Sequence, residues 1–194
     1  NHQEQHPLFS PIDQYPTQRG FDKYYGTIWG VVDFFDPFSL VEGTKPVEKI
    51  KSNYYHTDAI NDKAAEYIRE MAGDEKPFFL YVAHNAPHWP LQALPEDIEK
   101  YKNVYQTGWE SIRQSRYQKM AKMGLIDPAK VKLSPRHPAN QSWEQNPHKE
   151  WDARAMAVHA AMIDRMDQGI GRIVEALRKS GQLDNTLIVF LSDN

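Results

Sequence analysis

A carboxylate and an amide end the sequence, just after an apolar run. Residues 186–191 read Thr-Leu-Ile-Val-Phe-Leu, and Asp193 and Asn194 follow one residue later. Such a run is typical of a fully buried strand in a parallel sheet, and ligands of these sheets bind just beyond the carboxyl ends of the strands. Both side chains offer hard oxygen ligands, which suit Ca²⁺ or Mg²⁺ better than zinc. The pattern predicts a metal site at Asp193 and Asn194, although Asp-Asn is also common turn chemistry.

Imidazole side chains follow a second apolar run. Residues 77–83 are predicted as another buried strand, and the loop after it carries His84, Asn85 and His88. In one sheet, this loop and the predicted metal site share an edge. A cation would neutralise the anionic oxygens of an ester, and His88 would hydrogen-bond an oxygen or protonate a leaving group. The alternative for His88 is a loop histidine that caps a backbone carbonyl, and for His84 a structural role is favoured.

Three further groups of residues have a structural and a functional interpretation. Pro87 and Pro90 flank His88 and restrict the backbone around it, which fits a positioned side chain or simply a rigid turn. Trp89 would stack on a sugar or an aryl group, but packing is the commoner role of such a tryptophan. Asp58 and Asp62 lie one turn apart on a predicted helix, where a solvated first turn favoured by the helix dipole is preferred over a metal site.

The elements that must position these residues are predicted from hydrophobic periodicity. Helices are predicted over residues 57–71, 95–101 and 110–123, and the clearest one over 152–180. The stretch at about 106–150 is predicted to be an irregular excursion, with its prolines all within 127–150, and Gly43-Thr44 suggests the turn of a short hairpin. Strand, excursion, helix and strand together predict a βαβ crossover with a large insertion in an α/β fold. The apolar stripe of the last helix, predicted as core, comprises Met162, Met166, Ile170, Ile173 and Leu177.

Composition excludes several classes of function. The 194 residues carry a formal net charge of -3, so the chain lacks the net positive charge that is typical of nucleic-acid-binding proteins. No apolar run is long enough to span a bilayer. The chain contains no cysteine, which excludes disulfides, thiolate metal sites and cysteine nucleophiles within it. The oligomeric state cannot be predicted from these features.

Three segments, in this order and spacing, resemble the type I sulfatases, the arylsulfatase family. The first is Arg19-Gly-Phe-Asp-Lys-Tyr-Tyr-Gly26. The second is Pro77-Phe-Phe-Leu-Tyr-Val-Ala-His-Asn-Ala-Pro-His-Trp-Pro-Leu-Gln92. The third runs from Met162-Ile-Asp-Arg-Met-Asp-Gln-Gly to the terminal Leu-Ser-Asp-Asn194. The resemblance extends from about residue 18 to the end and is least distinctive over 106–150.

The resemblance implies a fold, a reaction and site residues. The fold is α/β and alkaline-phosphatase-like, with a mostly parallel central sheet flanked by helices. Sulfate esters are hydrolysed to alcohol and sulfate by a formylglycine nucleophile, with Ca²⁺ or Mg²⁺ on the sulfate. By motif position, Asp193 and Asn194 resemble metal ligands, and His88 resembles the histidine that contacts the sulfate ester. The compartment cannot be read from the chain itself, and the resemblance implies a periplasmic, extracellular or lysosomal location.

The sequence also departs from the family pattern. No C/S-x-P-S-R motif, the source of formylglycine, occurs in the 194 residues, and the family's paired N-terminal aspartates are absent. We therefore expect the chain to be the central part of the catalytic domain of a longer sulfatase. By itself, we expect it to be inactive. Two alternatives remain, a phosphodiesterase or phosphonate hydrolase of the same superfamily and a non-catalytic binding module on that fold. Aryl sulfates and sulfated polysaccharides are both open as substrates.

Overall fold

The computed structural model describes residues 11–74 and 76–192. Their regular elements are three short strands and four α-helices. The strands are β1 (Tyr25–Thr27), β2 (Leu40–Glu42) and β3 (Lys45–Pro46), and the helices are α1 (His56–Met71), α2 (Pro95–Tyr101), α3 (Trp109–Lys122) and α4 (Lys149–Lys179). Single 3-10 turns lie at Pro16–Gln18 and Leu183–Asn185. The described chain is therefore mixed α/β.

The three strands form one antiparallel sheet in the order β1-β2-β3. Gly26 pairs with Val41, and Glu42 pairs with Lys45 across a tight turn. Gly43 opens that turn with φ 63°, a left-handed conformation that suits glycine. The hairpin predicted at Gly43-Thr44 is confirmed.

The four predicted helices are all present, with ends within three residues of those predicted. Helix α1 forms because Ile60, Ala64 and Ile68 recur at intervals of four residues and are buried on one face. Helix α2 has Pro95 in its first turn, where the missing N–H costs no hydrogen bond. In α4, Met162, Met166 and Leu177 of the predicted core stripe are buried, whereas Ile170 and Ile173 are half-buried.

The two predicted buried strands are not formed within the described residues. Segment 77–83 has no ladder partner, and its side chains alternate, with Phe78 and Leu80 packed on the core while Phe79 and Tyr81 are exposed. Segment 186–191 also lacks strand pairing, and Leu187 is 89% exposed. The prediction of burial was wrong here because a parallel strand is buried only when neighbouring strands and helices cover it on both faces. The described residues supply one face of that cover at 77–83 and none at 187–191.

The chain divides into two compact units, residues 1–92 with 162–194 and residues 93–161. The first unit contains the sheet, α1 and the second half of α4, and its core includes Ala65, Ile68, Ala176 and Leu177. The second unit contains α2, α3, the first half of α4 and the excursion. In it, the rings of Trp109 and Trp143 meet edge to face at 4.8 Å. Helix α3 lies within the predicted excursion at about 106–150, so this stretch is irregular only between α3 and α4, where the described residues contain no regular element.

Candidate functional site

The loop after segment 77–83 is turned inward at its start and outward at His88. His84 is half-buried, whereas His88 and Trp89 are exposed. The backbone N–H of His88 donates to the carbonyl of Asn85 at 2.9 Å, which closes a turn between them. Both peptide bonds that precede Pro87 and Pro90 are cis. We call residues 84–92 the histidine loop.

One anchor of the histidine loop is a buried imidazole on α1. His56 is 1% exposed, and its Nε2 lies 3.0 Å from Oδ1 of Asn85. Because an amide oxygen only accepts, Nε2 of His56 carries the hydrogen, and its Nδ1 accepts from the hydroxyl of Tyr54 at 2.9 Å. The amide nitrogen of Asn85 donates to the carbonyl of Gly30 at 3.3 Å. Asn85 therefore joins the loop to α1 and to the segment before β2.

Burial keeps this imidazole neutral. The pKa of His56 is lowered from 6.5 to about 4, chiefly because burial desolvates the charged ring; the hydrogen bond to Asn85 opposes this shift, and the nearby His84 adds to it. A neutral ring with one N–H and one lone pair fits the observed donor and acceptor assignment. Burial also raises the pKa of Tyr54, so its hydroxyl stays protonated and is able to donate to His56.

A second anchor joins His84 to the packing of α1 against α4. Its Nε2 donates to Oδ1 of Asn61 at 3.0 Å, and the amide nitrogen of Asn61 donates to the carbonyl of Thr57 at 2.7 Å. Asn61 is fully buried against Gly169 of α4. A Cβ at Gly169 would lie 2.0 Å from Nδ2 of Asn61, so only glycine permits this approach. The structural role expected for His84 agrees with this position, and burial lowers its pKa.

The far end of the histidine loop is held through Gln92. Its Oε1 accepts from the backbone N–H of Phe34 at 2.8 Å, and its Nε2 donates to Oδ2 of Asp33 at 2.6 Å. The hydroxyl of Tyr55 donates to the backbone carbonyl of Gln92 at 2.8 Å. The hydrogen bond from the Gln92 amide is the largest cause of a lowered pKa of the Asp33 carboxyl, and the backbone N–H groups of Phe35 and Asp36 lower it further against desolvation. Both ends of the loop are therefore fixed to the residues that precede and begin α1.

His88 is presented between these anchors. Its Nδ1 lies 2.8 Å from the carbonyl of Trp89 and must donate to it, and the two rings lie 5.7 Å apart. This bond is the carbonyl cap considered as the alternative role, but it uses only one ring nitrogen. Within the described part of the chain, no group is hydrogen-bonded to Nε2 of His88. Trp89 is 64% exposed, so the packing expected for it is not observed.

The two predicted metal ligands, Asp193 and Asn194, lie outside the described residues. Their role stays a prediction. Across residues 11–74 and 76–192, no three His, Cys, Asp or Glu side chains are arranged to hold a metal ion. No helix in that part of the chain is both long and apolar enough to cross a membrane.

Asp58 and Asp62 are paired with arginines of α4. Arg165 binds both carboxylate oxygens of Asp58, at 2.9 and 2.6 Å, and Arg172 binds Asp58 at 3.0 Å and Asp62 at 3.2 Å. The preference for a structural role over a metal site agrees with this geometry. The expectation of a solvated turn was wrong for Asp58, because its exposed fraction is only 21%.

Comparison with known proteins decides the family. The Sulfatase family model matches residues 3–194. The chain belongs to the sulfatase family. An uncharacterised sulfatase of Schizosaccharomyces pombe is 32% identical over 200 residues, which cover 94% of this chain and 36% of that protein. An arylsulfatase of Klebsiella aerogenes is 31% identical over 192 residues, which cover 92% of this chain and 40% of that protein. The sulfatase chain thus spans well under half the length of these relatives.

A solved structure agrees with the assignment. The crystal structure of Ps i-CgsB in complex with k-i-k-neocarrahexaose is similar over 91% of this chain and 32% of its own, with a TM-score of 0.59 and 25% identity. The alkaline-phosphatase-like α/β fold class predicted from the sequence is confirmed, as is the sulfatase resemblance carried by the three segments.

Proposed function

We propose that the whole protein carrying this chain hydrolyses sulfate esters to an alcohol and sulfate. Membership of the sulfatase family supports the reaction class. The observation that carries the proposal is the histidine loop, in which hydrogen bonds fix one end at His84 and Asn85 and the other at Gln92 while His88 stands exposed. A side chain that acts on an ester substrate must be held in place by its surroundings and must also be accessible to the substrate.

His88 is the proposed substrate-binding and catalytic residue. Its Nδ1–H is directed to the carbonyl of Trp89, which sets the ring and leaves Nε2 for the ester. As an imidazolium, Nε2 would donate to the bridging or terminal oxygen of the sulfate and would protonate the departing alcohol. Once Nε2 has given up this proton, the ring is neutral, and Nε2 would act as the base in the next proton transfer.

Two groups would complete the chemistry. Asp193 and Asn194 would hold Ca²⁺ or Mg²⁺, which would neutralise the anionic sulfate oxygens when bound. The nucleophile, expected to be a formylglycine, would come from outside these 194 residues, because no C/S-x-P-S-R motif occurs in them. The substrate would be a small-molecule or carbohydrate sulfate ester.

The test compares substrates and variants in the whole protein. We expect turnover of an aryl sulfate to exceed turnover of the matching phosphate diester, which would instead be preferred by a phosphodiesterase. His88→Ala should abolish most of this turnover, whereas His137→Ala, which removes an exposed loop histidine of the second unit, should not. Absence of turnover on either ester class, with the fold intact, would favour a non-catalytic binding module.

A further inference from the structure

The second unit carries a concentration of positive charge that the net charge of the chain conceals. Residues 109–136 include seven Arg or Lys and two Asp or Glu, in a chain whose formal net charge is -3. Four of these cations, Arg113, Arg116, Lys119 and Lys122, follow one another at intervals of three along α3. Like charges at this spacing lie close together on a helix and disfavour it. The helix dipole favours Lys119 and Lys122 in the last turn, but it does not explain Arg113 and Arg116.

Burial does not explain the row either. No residue of α3 is fully buried, and Arg116, Lys119 and Lys122 are exposed. Within the described residues, Arg116 and Lys132 form no ion pair. The two carboxylates of the segment are hydrogen-bonded to backbone groups of the second unit. Glu110 accepts from the backbone N–H of Trp143, and Asp127 accepts from that of Ala129. Much of the positive charge is therefore left facing solvent.

The loop after α3 is fixed against this helix and forms a cleft with it. The hydroxyl of Tyr117 donates to the carbonyl of Val131 at 2.6 Å, and Arg113 donates to both oxygens of Ser134 at 2.7 Å. The cleft has a volume of about 230 Å³. We call it the basic cleft. Its lining includes the cations Arg113, Arg116 and Lys132 and the apolar side chains Met120, Val131 and Leu133.

We propose that the basic cleft binds a sulfated polysaccharide chain, as an accessory site for a polymeric substrate. The inference rests on the proposed sulfatase function, because it assigns that function a polyanionic substrate. A linear sulfated sugar repeats its negative charges along the chain, which matches the three cations that line the cleft from α3 and from the loop after it. Its rings also present C–H faces, which suit the apolar lining between those cations. Arg113 is partly committed to Ser134, so Arg116 and Lys132 supply the main contacts.

The experiment measures binding separately from hydrolysis. Dextran sulfate is the probe, with unsulfated dextran and single-stranded DNA as comparison polymers, all titrated against the whole protein at low and high salt. The test variant is Arg116→Gln with Lys132→Gln. The matched control is Lys49→Gln with Lys51→Gln, which removes the same charge from two exposed lysines of the first unit.

We expect dextran sulfate to bind and dextran not to bind. The test variant should bind dextran sulfate about tenfold more weakly than the control variant, since each exposed charge contact changes affinity by a few-fold. Added salt should weaken binding to the wild type more than to the test variant. Turnover of a small aryl sulfate should be equal in both variants, because neither position belongs to the histidine loop.

Three results would overturn the inference. These are equal affinity of the test and control variants for dextran sulfate, binding of plain dextran, and binding of DNA as tight as that of dextran sulfate. Failure of the proposed function looks different, because aryl sulfate turnover would then be absent while the loss of dextran sulfate binding in the test variant persisted. Circular dichroism checks the fold of each variant, and the two single substitutions replace the double variant if that is unfolded.

Discussion

Nε2 of His56 donates to Oδ1 of Asn85 over 3.0 Å, so a buried imidazole on α1 holds the turn from which His88 is presented. Asn85 in turn accepts, through its backbone carbonyl, the N–H of His88 at 2.9 Å. A buried histidine thus supports, through Asn85, the turn that carries an exposed one.

Stability should depend on pH through His56. Its pKa falls from 6.5 to about 4 on folding, so between these values the unfolded state binds more protons. The free energy of unfolding should therefore rise as pH increases from about 4 to 6.5, with about 3 kcal/mol from this group. Urea denaturation across this range measures it. His56→Gln, which does not titrate, is the control, and an identical pH slope in the two proteins would contradict the prediction.

Replacing Gly169 should separate close packing from helix propensity. Gly169→Ala should destabilise the protein by about 1–3 kcal/mol, because its Cβ would meet the amide of Asn61 at 2.0 Å. Gly171→Ala on the same helix is the matched control, since nothing lies within 4 Å of its Cβ. That change should stabilise by about 0.5–1 kcal/mol. Thermal denaturation of both variants decides, and a stabilising Gly169→Ala would show that the helices are less closely packed.

The two aspartates of α1 should differ in their contribution to stability. Asp58→Ala should cost about 2–3 kcal/mol, because it removes a carboxylate bound through two oxygens by Arg165 and leaves that guanidinium without it. Asp62→Ala should cost less than about 1 kcal/mol, because Asp62 is 68% exposed and has one contact to Arg172. Chemical denaturation at two salt concentrations measures the difference. Equal losses would mean that the bidentate geometry contributes little.

Substitutions of His88 and of Asp193 should lower the activity of the whole protein for different reasons. His88→Ala should lower kcat by about 10²–10⁴ through loss of a proton donor, with stability changed by less than about 0.5 kcal/mol. Asp193→Asn should weaken the proposed metal, so added Ca²⁺ should partly restore its activity and should not restore that of His88→Ala. Steady-state kinetics with a calcium titration separate them. An unfolded His88→Ala, or one with normal kcat, would assign His88 the role of a carbonyl cap only.

Helices and hairpin were predictable because their signals are local. The spacing of Ile60, Ala64 and Ile68 within α1 and the glycine of the β2–β3 turn act over a few residues. The apolar runs 77–83 and 186–191 were misjudged, because strand burial depends on neighbours that periodicity does not reveal. An uninterrupted run predicts cover on both faces, whereas the structure covers one face of 77–83.

The position of His88 on a loop was predictable, and its support was not. His56 precedes Ile60, Ala64 and Ile68 at the same interval of four, so a polar residue on the buried stripe was the available signal. Asn61 gave no comparable signal, since its importance depends on Gly169 more than a hundred residues away. Hydrogen bonds between distant residues are set by tertiary packing, which short-range patterns do not encode.

The contact between Asn61 and Gly169 limits how parts of related sulfatases can be exchanged. A larger residue at 169 requires a smaller one at 61, and His84 then loses the oxygen that accepts its N–H. Positions 61, 84 and 169 should therefore be inherited as a set. A chimaera that imports the histidine loop alone would bring His84 without the acceptor of its hydrogen bond. One that imports the loop together with α1 and α4 would keep this hydrogen bond.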